Sequence, residues 1–200
     1  MSAEPDKQDL TNLTAGLFAL TAAFIGLQGS FNFSSVTNGF LAGFLALGAR
    51  ELGQRSVAQQ IRAKVDVKLS KPGLALTLLG AVAGFFSSYP LALIFPLFNS
   101  YSNDRYESWG RDIDVVWTKR RYWIASMGMI AMLSTAFITY SLGAFMISKS
   151  ISLFVLFQLI PLKETPLIDG DLDGAHILIH SGFAWVGFIA FGILGLALPL

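Results

Sequence analysis

The chain has 200 residues, of which 54% are hydrophobic and 14% charged, with a formal net charge of +1 and a mean hydropathy of +0.59. Soluble domains carry nearly twice that charged fraction, so the composition places the chain in a bilayer. The near-neutral balance excludes global electrostatic steering toward nucleic acid, and the absence of cysteine excludes disulfides, thiolate metal sites and a cysteine nucleophile.

Residues 1–10 are polar, with acids as well as Lys7, and no basic start leads into a short apolar core with a cleavage site. This predicts a polar N-terminal segment, no cleaved signal peptide, and a single integral membrane domain over 11–200. Hydrophobic segments follow at 13–27, 36–49, 73–98, 122–147, 151–162 and 176–200. An apolar helix of about 20 residues crosses the hydrocarbon core, and these runs predict an all-α, multi-pass transmembrane helical bundle of five to six segments. The second run can continue as helix through Glu51, Gln54 and Ala58. The fifth is too short to cross alone and stops at Pro161, as a helix broken inside the protein would.

Basic residues form two groups: Arg55, Arg62, Lys64, Lys68 and Lys71, then Arg105, Arg111, Lys119, Arg120 and Arg121. The positive-inside rule puts both on the cytoplasmic side of a cell membrane, whereas a straight crossing by 73–98 would separate them. Pro90 and Pro96 interrupt that segment, and an interior proline removes a helix hydrogen bond. A re-entrant 73–98 satisfies both observations, with a kinked spanning helix as the alternative. The stretch 99–117 carries Tyr101, Tyr106, Trp109 and Trp117 among charges, a composition suited to an interfacial loop at headgroup depth. Gly80 and Gly84, spaced as G-x-x-x-G, permit close helix contact within the protein or between copies.

Two stretches carry the chemistry. The first reads Gly48-Ala49-Arg50-Glu51-Leu52-Gly53-Gln54, and the second Phe157-Gln158-Leu159-Ile160-Pro161-Leu162 followed by Leu172-Asp173-Gly174-Ala175-His176-Ile177-Leu178. Zinc metalloproteases place two histidines one helical turn apart, with a glutamate beside the first as general base. Here that spacing is occupied by Arg50 and Gln54, with Glu51 at the position of the base. Together the two stretches resemble the H-E-L-G-H and F-N-L-I-P … L-D-G motifs of the site-2 protease family of intramembrane zinc metalloproteases. The order of the motifs is also the family's.

The chain departs from the family in four places. Gln158 replaces the asparagine before L-I-P, the spacer from Pro161 to Asp173 is longer, and the intervening A-G-P-x-x-N motif is reduced to Met127-Gly128-Met129 with Met132 at the asparagine position. Both histidines are gone. By resemblance, Asp173 is the only zinc ligand left, and Arg50 sets a fixed positive charge where a dication would sit. The resemblance therefore implies a site-2-protease-like core with no zinc and no catalytic residue, Glu51 being vestigial together with the metal positions Arg50, Gln54 and Asp173. It also implies that Arg50 meets Asp173 as an ion pair where the metal joined two helices, although Arg50 can instead snorkel to the interface. Adjacent helical residues point about 100° apart, so Arg50 and Glu51 are not expected to pair.

Two other metal readings use different residues. Asp169, Asp171 and Asp173 alternate ahead of Gly174 as in a calcium loop, but the twelfth position, where a bidentate glutamate belongs, is His180. His176 and His180, four apart, can instead share a metal with Asp173. The function expected is a non-catalytic member that binds transmembrane partners or serves as an accessory subunit of a membrane complex, with the lipid bilayer and other membrane proteins as partners and no nucleic acid. The alternatives are a metal-dependent intramembrane protease using non-standard ligands and a purely structural subunit of a larger complex.

Overall fold

The computed structural model describes residues 7–61, 63–69, 71–86, 97–102, 112–162 and 172–198. Helix α1 (Lys7–Gln28) begins inside the segment expected to be a polar lead, and Asp9 in its first turn is buried. Gly29, at φ +62°, lets the chain reverse, a conformation that costs glycine nothing. Asn32 then caps α2 (Phe33–Gln60), its side-chain oxygen accepting from the Ser35 N–H at 2.8 Å. Gly39 lies against Thr21 and Ile25, and Gly43 against Leu17 and Leu20, so α2 runs back antiparallel along α1. It extends past Glu51 and Gln54 to Gln60, the continuation the sequence allowed.

Strand β1 (Lys64–Leu69) follows, then α3 (Lys71–Phe86), and strand β2 (Leu97–Ser102) pairs with β1 antiparallel, in a register from Lys64 opposite Ser102 to Leu69 opposite Leu97. This small sheet was not expected in an all-α chain, because each strand has only six residues and gains its ladder from a partner about 30 positions away. It replaces part of the expected interfacial loop over 99–117. The far end of that stretch belongs to α4 (Asp112–Ser141), and 103–111 lies outside the described residues, as do Pro90 and Pro96.

The expected segments 122–147 and 151–162 are divided differently. Helix α4 ends at Ser141, where Gly143 takes φ +79°, its N–H bonding the Tyr140 carbonyl and the Ala144 N–H bonding that of Thr139. Helix α5 (Phe145–Gln158) starts directly afterwards and stops before Pro161. The break at Leu142-Gly143-Ala144 is invisible to hydropathy because its residues are apolar. The last segment, expected as one run over 176–200, is α6 (Asp173–His180) and α7 (Gly182–Ala197), broken at Ser181, whose hydroxyl caps α7 by accepting from Ala184 N–H. The described residues are thus mostly helical, in seven helices.

Helix α2 packs between α1 and α4, α4 meets α5 and α6, and α7 closes on α5. Phe24, Leu47, Met129, Met132, Phe154, Leu159 and Ile177 are buried in one core where these helices meet. The faces of α3 reverse the usual arrangement. Its buried residues are Gly73, Thr77, Gly80, Ala81 and Gly84, while Leu76, Leu79, Val82 and Phe86 point outward. A Cβ on Gly84 would lie 3.0 Å from the Gly26 carbonyl oxygen, and one on Gly26 would lie 2.6 Å from that of Ala81. Of the two glycines expected to permit close contact, Gly84 therefore does so within the chain, against α1, and Gly80 is buried. In α7 the buried residues are again glycines, Gly192 and Gly195, with Phe183, Val186 and Phe191 outward. Among the described residues, two helices are long and apolar enough to cross a membrane: α1, and α4 over Lys119–Ser141.

Candidate functional site: a buried ion pair between α2 and α6

Positions 50 and 54 lie one turn apart on α2 and project to the same side of that helix. Asp173 is the first residue of α6, where the helix dipole favours a carboxylate. Three close approaches bring these elements together. Gly53 leaves room for α4, since a Cβ there would sit 2.6 Å from the Met127 carbonyl oxygen. Gly128 receives the Gln54 side chain, with a Cβ there only 2.9 Å from Gln54 Cγ. A Cβ on Gly174 would overlap the Leu159 backbone, so the start of α6 lies directly on the end of α5. The Trp185 indole N–H, bonded to the Leu159 carbonyl at 2.7 Å, ties α7 to the same point.

At this junction Arg50 Nε donates to Asp173 Oδ2 at 2.9 Å, Arg50 Nη2 lies 2.8 Å from the same oxygen, and Gln54 Nε2 donates to it at 3.0 Å. Arg50, Gln54 and Asp173 are all 0% exposed. Snorkelling is therefore ruled out for Arg50. A carboxylate withdrawn from water needs both charge compensation and hydrogen bonds, and α2 supplies both from two positions one turn apart. On either side of residues 163–171, which lie outside the described residues, the Leu172 N–H bonds the Leu162 carbonyl at 3.0 Å.

The polar network continues along α2. Arg50 Nη1 lies 3.7 Å from Glu51 Oε1, so these neighbours do form an ion pair, contrary to expectation. The length of the arginine side chain overcomes the 100° offset, although the contact is too long for a hydrogen bond. Glu51 Oε2 accepts from Arg55 Nε at 3.0 Å, and Arg55 Nη2 donates to Asp9 Oδ2 at 2.9 Å. Asp9 Oδ1 accepts the Val67 N–H at 2.9 Å while Asn12 Nδ2 donates to the Val67 carbonyl at 2.7 Å. Side chains of α1 thus satisfy the backbone of β1. Asp9, Asn12 and Arg55 were not singled out as site residues in the sequence. The signal for Arg55 was its place four residues after Glu51, obscured by counting it among the loop cations, and Asp9 carried none.

Of the alternative metal residues, Asp169 and Asp171 lie outside the described residues. His176 is buried, whereas His180 is exposed and stacks its ring on Tyr122 with centroids 4.5 Å apart. Among the described residues no three His, Cys, Asp or Glu side chains gather as a metal-ligand group. The zinc held by active site-2 proteases does not fit the donor set around Asp173, where one carboxylate faces a guanidinium and the N–H side of an amide, and catalytic zinc wants about three protein ligands. Glu51, at the position of the general base, is bonded to Arg55 instead.

No protein-family model, curated protein or solved structure matches the chain. Its functional reading therefore rests on the residues themselves.

Proposed function

We propose that the protein is a non-catalytic, multi-pass membrane protein with a site-2-protease-like core, in which a buried ion pair joins the helices that a zinc ion joins in that family, and that it binds transmembrane segments of partner proteins as an accessory subunit of a membrane complex. The observation that carries this reading is the convergence of Arg50, Gln54 and Asp173 on one buried oxygen. Positions i and i+4 of one helix and an aspartate 119 residues beyond the second of them are the three places where the family resemblance puts metal ligands. Multi-pass insertion is supported by the outward apolar faces and inward glycines of α3 and α7, since helix contacts in lipid favour small residues. Exposed apolar area on this scale marks a surface meant for lipid or partners.

The test restores what the reading says was lost. The purified wild-type chain should hold zinc at well below one ion per chain, while the double variant Arg50→His, Gln54→His, with Asp173 retained, should gain about one, as three-ligand zinc sites do. A double variant that stays folded without gaining zinc would sink the family geometry. For the accessory role, extraction in mild detergent should yield a partner with a transmembrane segment at fixed stoichiometry; recovery of the chain alone, at its own mass, would remove it.

A further inference from the structure

Five charged side chains of α1, α2 and α6 follow one another in space with alternating sign: Asp9, Arg55, Glu51, Arg50 and Asp173. Asp9, Glu51, Arg50 and Asp173 are buried, and Arg55 is half-buried. The line is anchored at both ends. Asp9 Oδ1 accepts the Val67 N–H of β1, and Asp173 is the first residue of α6. Charges withdrawn from water are little screened, so each inner member is held by the balance between the neighbours on either side of it.

That balance is uneven at Arg50. Its guanidinium lies 2.8 Å from Asp173 but 3.7 Å from Glu51 Oε1, an oxygen with no hydrogen-bond partner. A buried acceptor without a donor is costly, which makes Glu51 Oε1 a second seat for Arg50 as soon as Asp173 draws away. Glu51 Oε2 meanwhile accepts from Arg55 Nε at 3.0 Å, and Arg55 Nη2 reaches Asp9 Oδ2 at 2.9 Å, while Asp9 Oδ1 stays with the Val67 N–H. A guanidinium free to choose takes both oxygens of one carboxylate in a fork.

We propose that this line is a two-position relay coupling the seat of α6 on α2 to the hold of α1 on β1. In the observed position Arg50 is on Asp173, Glu51 is on Arg55, and Asp9 is shared between Arg55 and Val67. In the other, Asp173 has moved off with α6 and Arg50 closes on Glu51. Arg55 is then released to fork onto both Asp9 oxygens, and the Val67 N–H loses its acceptor. Coupling between distant elements needs a network with two discrete arrangements, and Glu51, which touches both arginines, is the positioning residue on which the exchange turns. The relay stands on these contacts themselves and is independent of the lost-metal and membrane readings above.

The test is hydrogen–deuterium exchange on the full chain in mild detergent, read in the peptides that carry β1 and α6 with α3 as the reference. Asp173→Asn removes the charge that holds Arg50 and should speed exchange in β1 by roughly fivefold or more, the usual size of coupling between linked sites, while α3 keeps its wild-type rate. Asp9→Asn removes the fork that the second position depends on and should slow exchange in α6, where a mere loss of structure would speed it. With Glu51→Gln in place, neither substitution should reach the far end of the line. An unchanged β1 rate in Asp173→Asn, a rise shared by α3, an α6 rate that is unchanged or faster in Asp9→Asn, or effects that persist through Glu51→Gln would each overturn the proposal. If Asp173→Asn does not fold, the α6 rate in Asp9→Asn decides by itself, because that substitution lies at the opposite end and leaves the Arg50–Asp173 pair in place.

Discussion

At the scale of single residues, Arg50 and Asp173 make the sharpest case, because each is the other's counter-charge in a place water does not reach. Removing one partner of such a pair costs about 3–5 kcal/mol, whereas replacing both by apolar residues is often close to neutral. Arg50→Leu and Asp173→Leu should each lower thermal stability in detergent, and the double variant should recover much of the loss; purely additive losses would show that the pair is not coupled. The glycines of α2 give a second prediction. Gly53→Ala drives a methyl group into the Met127 carbonyl and should destabilise by about 1–3 kcal/mol. Gly48→Ala meets nothing and should stabilise by roughly 0.5–1 kcal/mol. Opposite signs for the same substitution five positions apart would confirm that α2 faces α4 at one glycine and open space at the other.

Among the elements, the β1–β2 pair bears on the path of the chain between residues 69 and 97, which hydropathy left open. Because Leu97 pairs with Leu69 and Ser102 with Lys64, the chain that leaves β1 into α3 returns to the strand it departed from. The basic groups around Arg55 to Lys71 and around Lys119 to Arg121 are then expected on one side of the membrane, as the charge rule required. A chain without cysteine allows a direct check: Lys71→Cys and Lys119→Cys, both at exposed positions, should react with an impermeant thiol reagent from the same face. Reaction from opposite faces would mean that the segment between them crosses after all. Asp9 stabilises this arrangement from α1. Asp9→Ala leaves the Val67 N–H without its acceptor, which should cost about 1–3 kcal/mol and show as faster hydrogen exchange in β1.

For the whole molecule, the sequence alone determined what depends on composition and local periodicity. The low charge, the apolar runs and the reach of α2 through Glu51 and Gln54 were legible because helices form from neighbours three and four residues apart. The spacing of Arg50, Gln54 and Asp173 also pointed to one place in the fold, through resemblance and not through any local signal. Tertiary structure decided the rest. The break at Gly143 falls among apolar residues and the one at Ser181 inside a run that is hydrophobic as a whole, and a six-residue strand has little stability without its partner. Asp9 and Arg55 read as ordinary surface charges until α1 and α2 are laid antiparallel, which puts residues 46 positions apart within a hydrogen bond. Burial of a charge is a property of what surrounds it in space. A sequence can place Arg50 one turn from Gln54, but only the packed chain puts Asp173 against both and takes the water away.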